Sequence, residues 1–173
     1  NTSYVFGPNG ETLAKYRKIH LFSLRDKDGK AIHDESEGYL AGERPVSFRC
    51  EGLHVAMSTC YDLRFSELYR NLERQGPIDV MTVPSAFTKQ TGQAHWELLL
   101  RARAVEFQCW VFAANQVGNH FGSKESFGHS MIIDPWGEVL ASTGYEEGIA
   151  YATIDSERPV SYTHLRAHET PIN

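Results

Sequence analysis

The sequence predicts an α/β fold built on a mixed sheet, and three observations predict it. Apolar runs at residues 53–59, 78–84 and 110–115 read as short buried strands. Between the second and third lies residues 93–108, where Trp96, Leu99, Leu100, Ala104 and Phe107 recur on one helical face and Glu97 and Arg101 form an i,i+4 pair on another. Turn sequences at Asn9-Gly10 and at Asp134-Pro135-Trp136-Gly137 join strand-like segments directly, so hairpins must accompany the strands that alternate with helices.

Taken in order, residues 3–6 and 11–18 read as two strands joined through Gly7-Pro8-Asn9-Gly10, which leaves Lys18 at a strand exit. Residues 23–47 are polar, rich in Gly, Asp and Lys and without a sustained period. They are expected to form one long ordered loop with Glu35 in its middle, and loops of that length tend to be functional or disordered. The strand 53–59 runs into Cys60. Asp62 then offers a helix start, with Phe65, Leu68, Tyr69 and Leu72 at helical spacing before Gly76 stops the pattern. The strand 78–84 is ended by Pro84, Ser85-Ala86-Phe87 follows as a loop, and a polar turn at 88–92 leads into the helix 93–108. After the strand 110–115 come a polar loop at 118–126, a hairpin of 129–133 with 138–141, and a last strand at 148–154.

At 173 residues the chain fits one domain with a real core. A net charge of -5, with basic residues scattered among acids, argues against a nucleic-acid surface. No apolar run approaches the ~18 residues of a membrane span, and the start lacks the form of a signal peptide, so a cytoplasmic protein without membrane partners is expected. Cys50, Cys60 and Cys109 make an odd count without CxxC spacing, which indicates reduced thiols rather than a disulfide framework or a zinc knuckle. No His, Asp or Glu cluster has ligand spacing, and Gly118 with Gly122 is too weak to be a phosphate loop, so neither metal nor cofactor is expected. The chain opens on strand-like sequence and does not begin with Met, which reads as an incomplete protein.

Cys60 sits at the corner between a strand and a helix, where backbone N–H groups favour a thiolate. A free cysteine at a strand end is as often a small core hydrophobe, so position alone decides nothing. Lys18 by itself reads as a solvated strand-end lysine, and Glu35 as a loop acid like Asp34 or Glu37. His20, His54 and His129 read as packed or hydrogen-bonded histidines. Asp62, Arg64 and Glu67 read as ion-pairing residues that brace the corner, Trp96 as core, and Cys50 and Cys109 as structural.

Three stretches change the weighting: YRKIHLF at 16–22, HDES at 33–36 and CYDLRF at 60–65. Together they resemble the nitrilase superfamily of carbon–nitrogen hydrolases. PSAF at 84–87, HWELL at 95–99, RARAVE at 101–106, GHS at 128–130 and DPWG at 134–137 resemble the same superfamily, so coverage runs nearly through Ile154. The resemblance implies a nitrilase-type α-β-β-α sandwich with mixed sheets, truncated here at the N-terminus and the C-terminus, that dimerises when full length. It implies residues 1–158 as a partial carbon–nitrogen hydrolase domain. Residues 159–173 fall outside the pattern and look like a non-native adapter-derived tail, so the i,i+4 pair His164 and His168 carries little weight as a metal site.

The resemblance also assigns roles. Cys60 would be the nucleophile, forming a thioester with the acyl group of an amide. Lys18 would supply a fixed ammonium beside the oxyanion, helped by the backbone N–H of Tyr61, and Glu35 would hold and charge-balance the lysine. Phe87 and His95 would line the pocket for a small amide substrate. The superfamily's general base is a glutamate upstream of this chain, so the chain as given is expected to turn over little or nothing. Hydrolysis of a linear carboxamide to acid and ammonia follows, most similar to the deaminated glutathione amidase branch. An ω-amidase acting on monoamides of 2-oxo dicarboxylates is the alternative. A non-catalytic α/β interaction module and a redox-sensing thiol at Cys60 remain open, the latter without a resolving cysteine suitably spaced.

Overall fold

Side chains on successive strand residues point to opposite faces, so a strand buried on both faces must supply apolar groups to two separate cores. The central strands of this protein do so in register. The computed structural model describes residues 1–154 apart from 121 and 123. Strands β1 (Thr2–Phe6) and β2 (Thr12–Arg17) form a hairpin. A second hairpin, β3 (Ser23–Arg25) with β4 (Ala31–Asp34), leads through a 3-10 turn at Glu35–Glu37 to β5 (Val46–Cys50) and β6 (Leu53–Met57). A 3-10 turn at Cys60–Arg64 precedes helix α1 (Ser66–Glu73), then β7 (Val80–Thr82), helix α2 (Lys89–Phe107) and β8 (Trp110–Ala113). The hairpin β9 (Val117–Asn119) with β10 (Glu125–Phe127) and the strands β11 (Met131–Ile133) and β12 (Val139–Ser142) follow.

The main sheet has six strands in the order β12-β11-β8-β7-β6-β5. Strands β6, β7 and β8 are parallel, β5 and β11 flank them antiparallel, and β12 pairs antiparallel with β11, so the sheet is mixed as expected. Val55, Val80 and Trp110 are register partners and share one face. The next row, Ala56, Met81 and Val111, faces the helices and packs with Leu68, Tyr69 and Leu72 of α1 and Trp96, Leu100, Ala104 and Phe107 of α2. Burying Leu100 and Phe107 there contributes roughly 1.5–3 kcal/mol each. A smaller core of Ala14, Tyr16 and Met57, with Val46 and Phe48 against it, seats the β1–β2 hairpin beside β5 and β6.

Several expectations needed correction. The polar stretch 23–47 is not one long loop: it contains β3, β4 and the start of β5. Strands this short, with half-exposed polar residues, leave no period, although the turn is written in Asp26 to Gly29. The Asp26 carboxylate accepts the N–H groups of Asp28 and Lys30 at 2.9 and 2.8 Å, and Gly29 takes φ 81°. The loop expected at 118–126 likewise holds part of β9 and β10. Asp62 does not open an α-helix. Phe65 interrupts with an extended φ of -114°, and α1 starts only at Ser66.

Helix α2 begins earlier than expected, at Lys89, because Thr88 caps it by accepting the Thr91 N–H at 3.3 Å. Gly92 is therefore interior to the helix, where a Cβ would lie 2.3 Å from the Cβ of Phe127, so its lack of a side chain lets α2 close on β10. Residues 148–154 form no strand: Ile149 and Tyr151 alternate in sequence but are exposed. The expected tail at 159–173, with His164 and His168, lies outside the described residues.

Candidate active site

Loops at the carboxyl ends of parallel strands in α/β proteins are where ligands bind, because the chain there is free of ladder bonds yet held by the sheet. Cys60 lies just beyond β6, Ser85 to Phe87 just beyond β7 and Asn115 just beyond β8. These exits are tied to one another. The Cys60 N–H donates to the Pro84 carbonyl at 3.0 Å, Ser85 N–H to the Ala114 carbonyl at 2.8 Å, and Phe87 N–H to the Asn115 side-chain oxygen at 3.0 Å.

Cys60 adopts φ 52°, the left-handed region that a residue with a Cβ enters only at a cost of order 1–3 kcal/mol. Such strain is tolerated where the surroundings fix it, here by the bonds on either side of the corner. The thiol is half-buried and packs against the core that contains α1 and α2. Burial pushes its pKa up, and the Glu35 carboxylate adds to that; the Ala86 backbone N–H, the Lys18 ammonium and the Ser85 side chain oppose it. The net direction is upward, so the resting group is a thiol that needs a base. The expected helix N-terminus is absent from the balance: α1 starts at Ser66, and the favourable backbone donor is Ala86 instead.

Lys18 follows β2 directly, its own N–H bonded to the Asn1 carbonyl at 3.0 Å and its carbonyl accepting the Gly42 N–H at 2.7 Å. Its side chain is 0% exposed. A buried ammonium is tolerable only with a close counter-charge, and Glu35 provides it by a direct hydrogen bond to the Lys18 Nζ. The same oxygen of Glu35 accepts the Phe22 N–H at 2.8 Å, while the Glu35 N–H donates back to the Phe22 carbonyl at 2.9 Å. The β3–β4 hairpin and its following 3-10 turn thereby place Glu35 against Lys18. Both charges act on the Cys60 sulfur.

The remaining sequence-derived candidates are spread more widely. The half-buried Tyr61 ring meets Phe22 at 5.1 Å and Phe65 at 5.3 Å, edge on in both cases. Phe87 is buried against Trp96, with ring centroids 4.7 Å apart. His95 is exposed on α2, with its Nδ1 3.3 Å from a guanidinium nitrogen of Arg64. Arg64 links these positions, lying over the rings of Tyr61 and Phe87 at 5.8 and 5.7 Å. It braces the corner by stacking rather than by an ion pair, and Glu67 is exposed without an ion pair among the described residues.

Asp62 is the bracing residue with most bonds. It is 0% exposed and meets Tyr16, His20 and Thr59. The His20 ring also stacks on Phe65 at 3.8 Å. Sequence reasoning did not find Ala86, because a backbone donor leaves no side-chain signature. Cys109 is fully buried and its pKa is raised by burial, whereas Cys50 is exposed. Among the described residues no group of three or more His, Cys, Asp or Glu is placed to hold a metal ion, and no helix is long and apolar enough to cross a membrane.

The site thus joins a strained cysteine at a parallel-strand exit to a buried lysine–glutamate pair whose charges act on its sulfur, and comparison with known proteins gives the class as carbon–nitrogen hydrolase. The profile of that family, described as carbon-nitrogen hydrolase, matches residues 1–162, and the chain belongs to it. Over 160 residues the chain is 46% identical to the deaminated glutathione amidase of Synechocystis sp. (strain PCC 6803 / GT-S), covering 91% of this chain and 58% of that one. It is 44% identical over 158 residues to omega-amidase NIT2 of Homo sapiens, covering 91% of this chain and 56% of the relative. The fold superposes on Saccharomyces cerevisiae Nit3, a member of branch 10 of the nitrilase superfamily, with a TM-score of 0.85 and 34% identity, covering 99% of this chain and 59% of Nit3. The chain thus spans a little over half the length of these relatives.

Proposed function

We propose that the protein hydrolyses a linear carboxamide to a carboxylic acid and ammonia through a thioester on Cys60. The observation that carries this reading is the buried Lys18–Glu35 pair whose charges act on the sulfur at the strained corner. In the first half-reaction the glutamate base that the superfamily resemblance puts upstream of this chain takes the thiol proton, sulfur bonds to the amide carbon, and the carbonyl oxygen becomes an oxyanion beside the Lys18 ammonium. Collapse of that intermediate breaks the C–N bond, and the nitrogen leaves as ammonia after taking a proton. Water then adds to the thioester carbon, sulfur leaves, and the acid is released. Preorganised positive charge at the oxyanion is worth about 10²–10³-fold in rate in such chemistry.

Glu35 fixes the ammonium and balances its charge, and the Tyr61 N–H is the second oxyanion donor. Tyr61, Phe87 and His95 line the approach to the sulfur. The reaction uses no cofactor, and the protein acts in the cytoplasm as a homodimer.

Deaminated glutathione is the favoured substrate, supported by the 46% identity to the Synechocystis amidase. Monoamides of 2-oxo dicarboxylic acids are the second reading, supported by the 44% identity to human omega-amidase. Ammonia release from both compounds by the full-length protein, compared with its Cys60→Ser variant, separates the two. Negligible release from both would dismiss the amidase reading and leave a non-catalytic binding role.

A further inference from the structure

The Asp62 carboxylate touches both halves of the site's framework. Its Oδ2 accepts the Tyr16 hydroxyl at 2.7 Å and the Thr59 N–H at 2.9 Å. Its Oδ1 accepts the His20 N–H at 2.9 Å and lies 2.8 Å from the His20 Nδ1. Tyr16 and His20 flank Lys18 two residues to either side, and Asp62 itself stands two residues past Cys60. The backbone that carries the ammonium and the backbone that carries the sulfur are thus clamped onto a single buried group. The Tyr16 hydroxyl also accepts the Ile19 N–H at 3.3 Å, which closes the turn immediately after the lysine.

Burying a carboxylate costs several kcal/mol of desolvation, and apolar side chains would join β2 to this corner at lower cost. What an apolar contact cannot supply is direction. Two oxygens with four donors at hydrogen-bond distance fix the relative position and orientation of both segments, and fixed charge geometry is what oxyanion stabilisation requires.

We propose that Asp62 is a positioning residue that sets the placement of the Lys18 ammonium relative to the Cys60 sulfur, acting on the nucleophile through the lysine. The inference rests on the reading of Lys18 and Cys60 as partners in one charged site. It differs from a purely structural brace in one respect: its effect on Cys60 must vanish when the lysine's charge is gone.

Site-resolved alkylation by iodoacetamide tests this across pH, with exposed Cys50 as the internal reference. Asp62→Asn is expected to slow Cys60 alkylation at pH 8 about tenfold and to move its pH midpoint up by about one unit, because a displaced ammonium stabilises the thiolate less. In a Lys18→Met background the same change is expected to alter the Cys60 rate by less than about twofold, since coupled residues are non-additive. Equal slowing in both backgrounds, or no slowing in either, overturns the proposal. If Lys18→Met alone leaves Cys60 reactivity unchanged, the charged-site reading fails and takes this inference with it. If Lys18 matters and Asp62 does not, only the inference fails. Should Asp62→Asn not fold, Tyr16→Phe removes one of the four donors and must show the same lysine-dependent pattern at smaller amplitude.

Discussion

The hydroxyl of Tyr16 donates to Oδ2 of Asp62 at 2.7 Å across 46 positions of sequence, with both residues fully buried. Burial and the Asp62 charge beside it push the Tyr16 pKa up, so the phenol stays protonated and remains a donor throughout the working pH range. Tyr16→Phe keeps the ring and removes only the hydroxyl. Urea denaturation is expected to show a loss of about 1.5–3 kcal/mol, the range for hydrogen bonds to charged groups, and an unchanged midpoint would show that the bond contributes nothing net.

Lys18→Met is expected to lower kcat/KM for the proposed amide hydrolysis by about 10²–10³-fold, since in that mechanism it deletes the positive charge at the oxyanion. It also strands Glu35 with the Phe22 N–H as its remaining donor in the site. Pairing it with Glu35→Gln should recover stability in thermal melts without recovering rate. A double variant with wild-type turnover would remove Lys18 from the mechanism.

Cys109 gives the fold a pH dependence of known sign. Burial raises its pKa above the ordinary 9.0, so the native thiol stays neutral where the unfolded chain's thiol ionises. Its contribution is therefore fully present below pH 9 and is lost as pH rises above that value, at up to about 1.4 kcal/mol per unit. Tyr16 and Tyr69, also raised by burial, add in the same direction above their ordinary 10.0. Unfolding free energies measured between pH 8.5 and 10 should fall more steeply for the wild type than for Cys109→Ala. Parallel curves would mean that Cys109 ionises as freely folded as unfolded.

Gly92→Ala sets two effects against each other. Helix propensity favours alanine by about 0.8–1.0 kcal/mol. The new Cβ would meet the Phe127 Cβ at 2.3 Å, however, and overpacking of this kind costs about 1–3 kcal/mol. The clash is expected to win, lowering the melting temperature; a rise would show that β10 yields easily.

The parts of the fold that were legible in the sequence are those whose residues face a core on a regular period. Trp96, Leu100, Ala104 and Phe107 marked α2, and the apolar runs around Val55, Met81 and Val111 marked the parallel strands. The β3–β4 and β9–β10 hairpins are not legible, because their strands are three or four residues long and mostly exposed or half-exposed. Residues 148–154 misled in the opposite direction: Ile149 and Tyr151 alternate as a strand would, yet join no ladder among the described residues. At the site, Cys60, Lys18 and Glu35 stood out only through the motifs around them, since each taken singly is an ordinary residue. The sequence marks Asp62 as a brace without naming its partners Tyr16 and His20, because no local pattern encodes which buried donors converge on a distant carboxylate.

The left-handed backbone at Cys60 means that glycine, not cysteine, would sit there most comfortably. Replacing Cys60 by glycine would relax that torsion but remove the sulfur from this corner, so the proposed thioester chemistry and conformational ease compete for the same residue. Selection for hardiness alone would tend to erase the proposed nucleophile first.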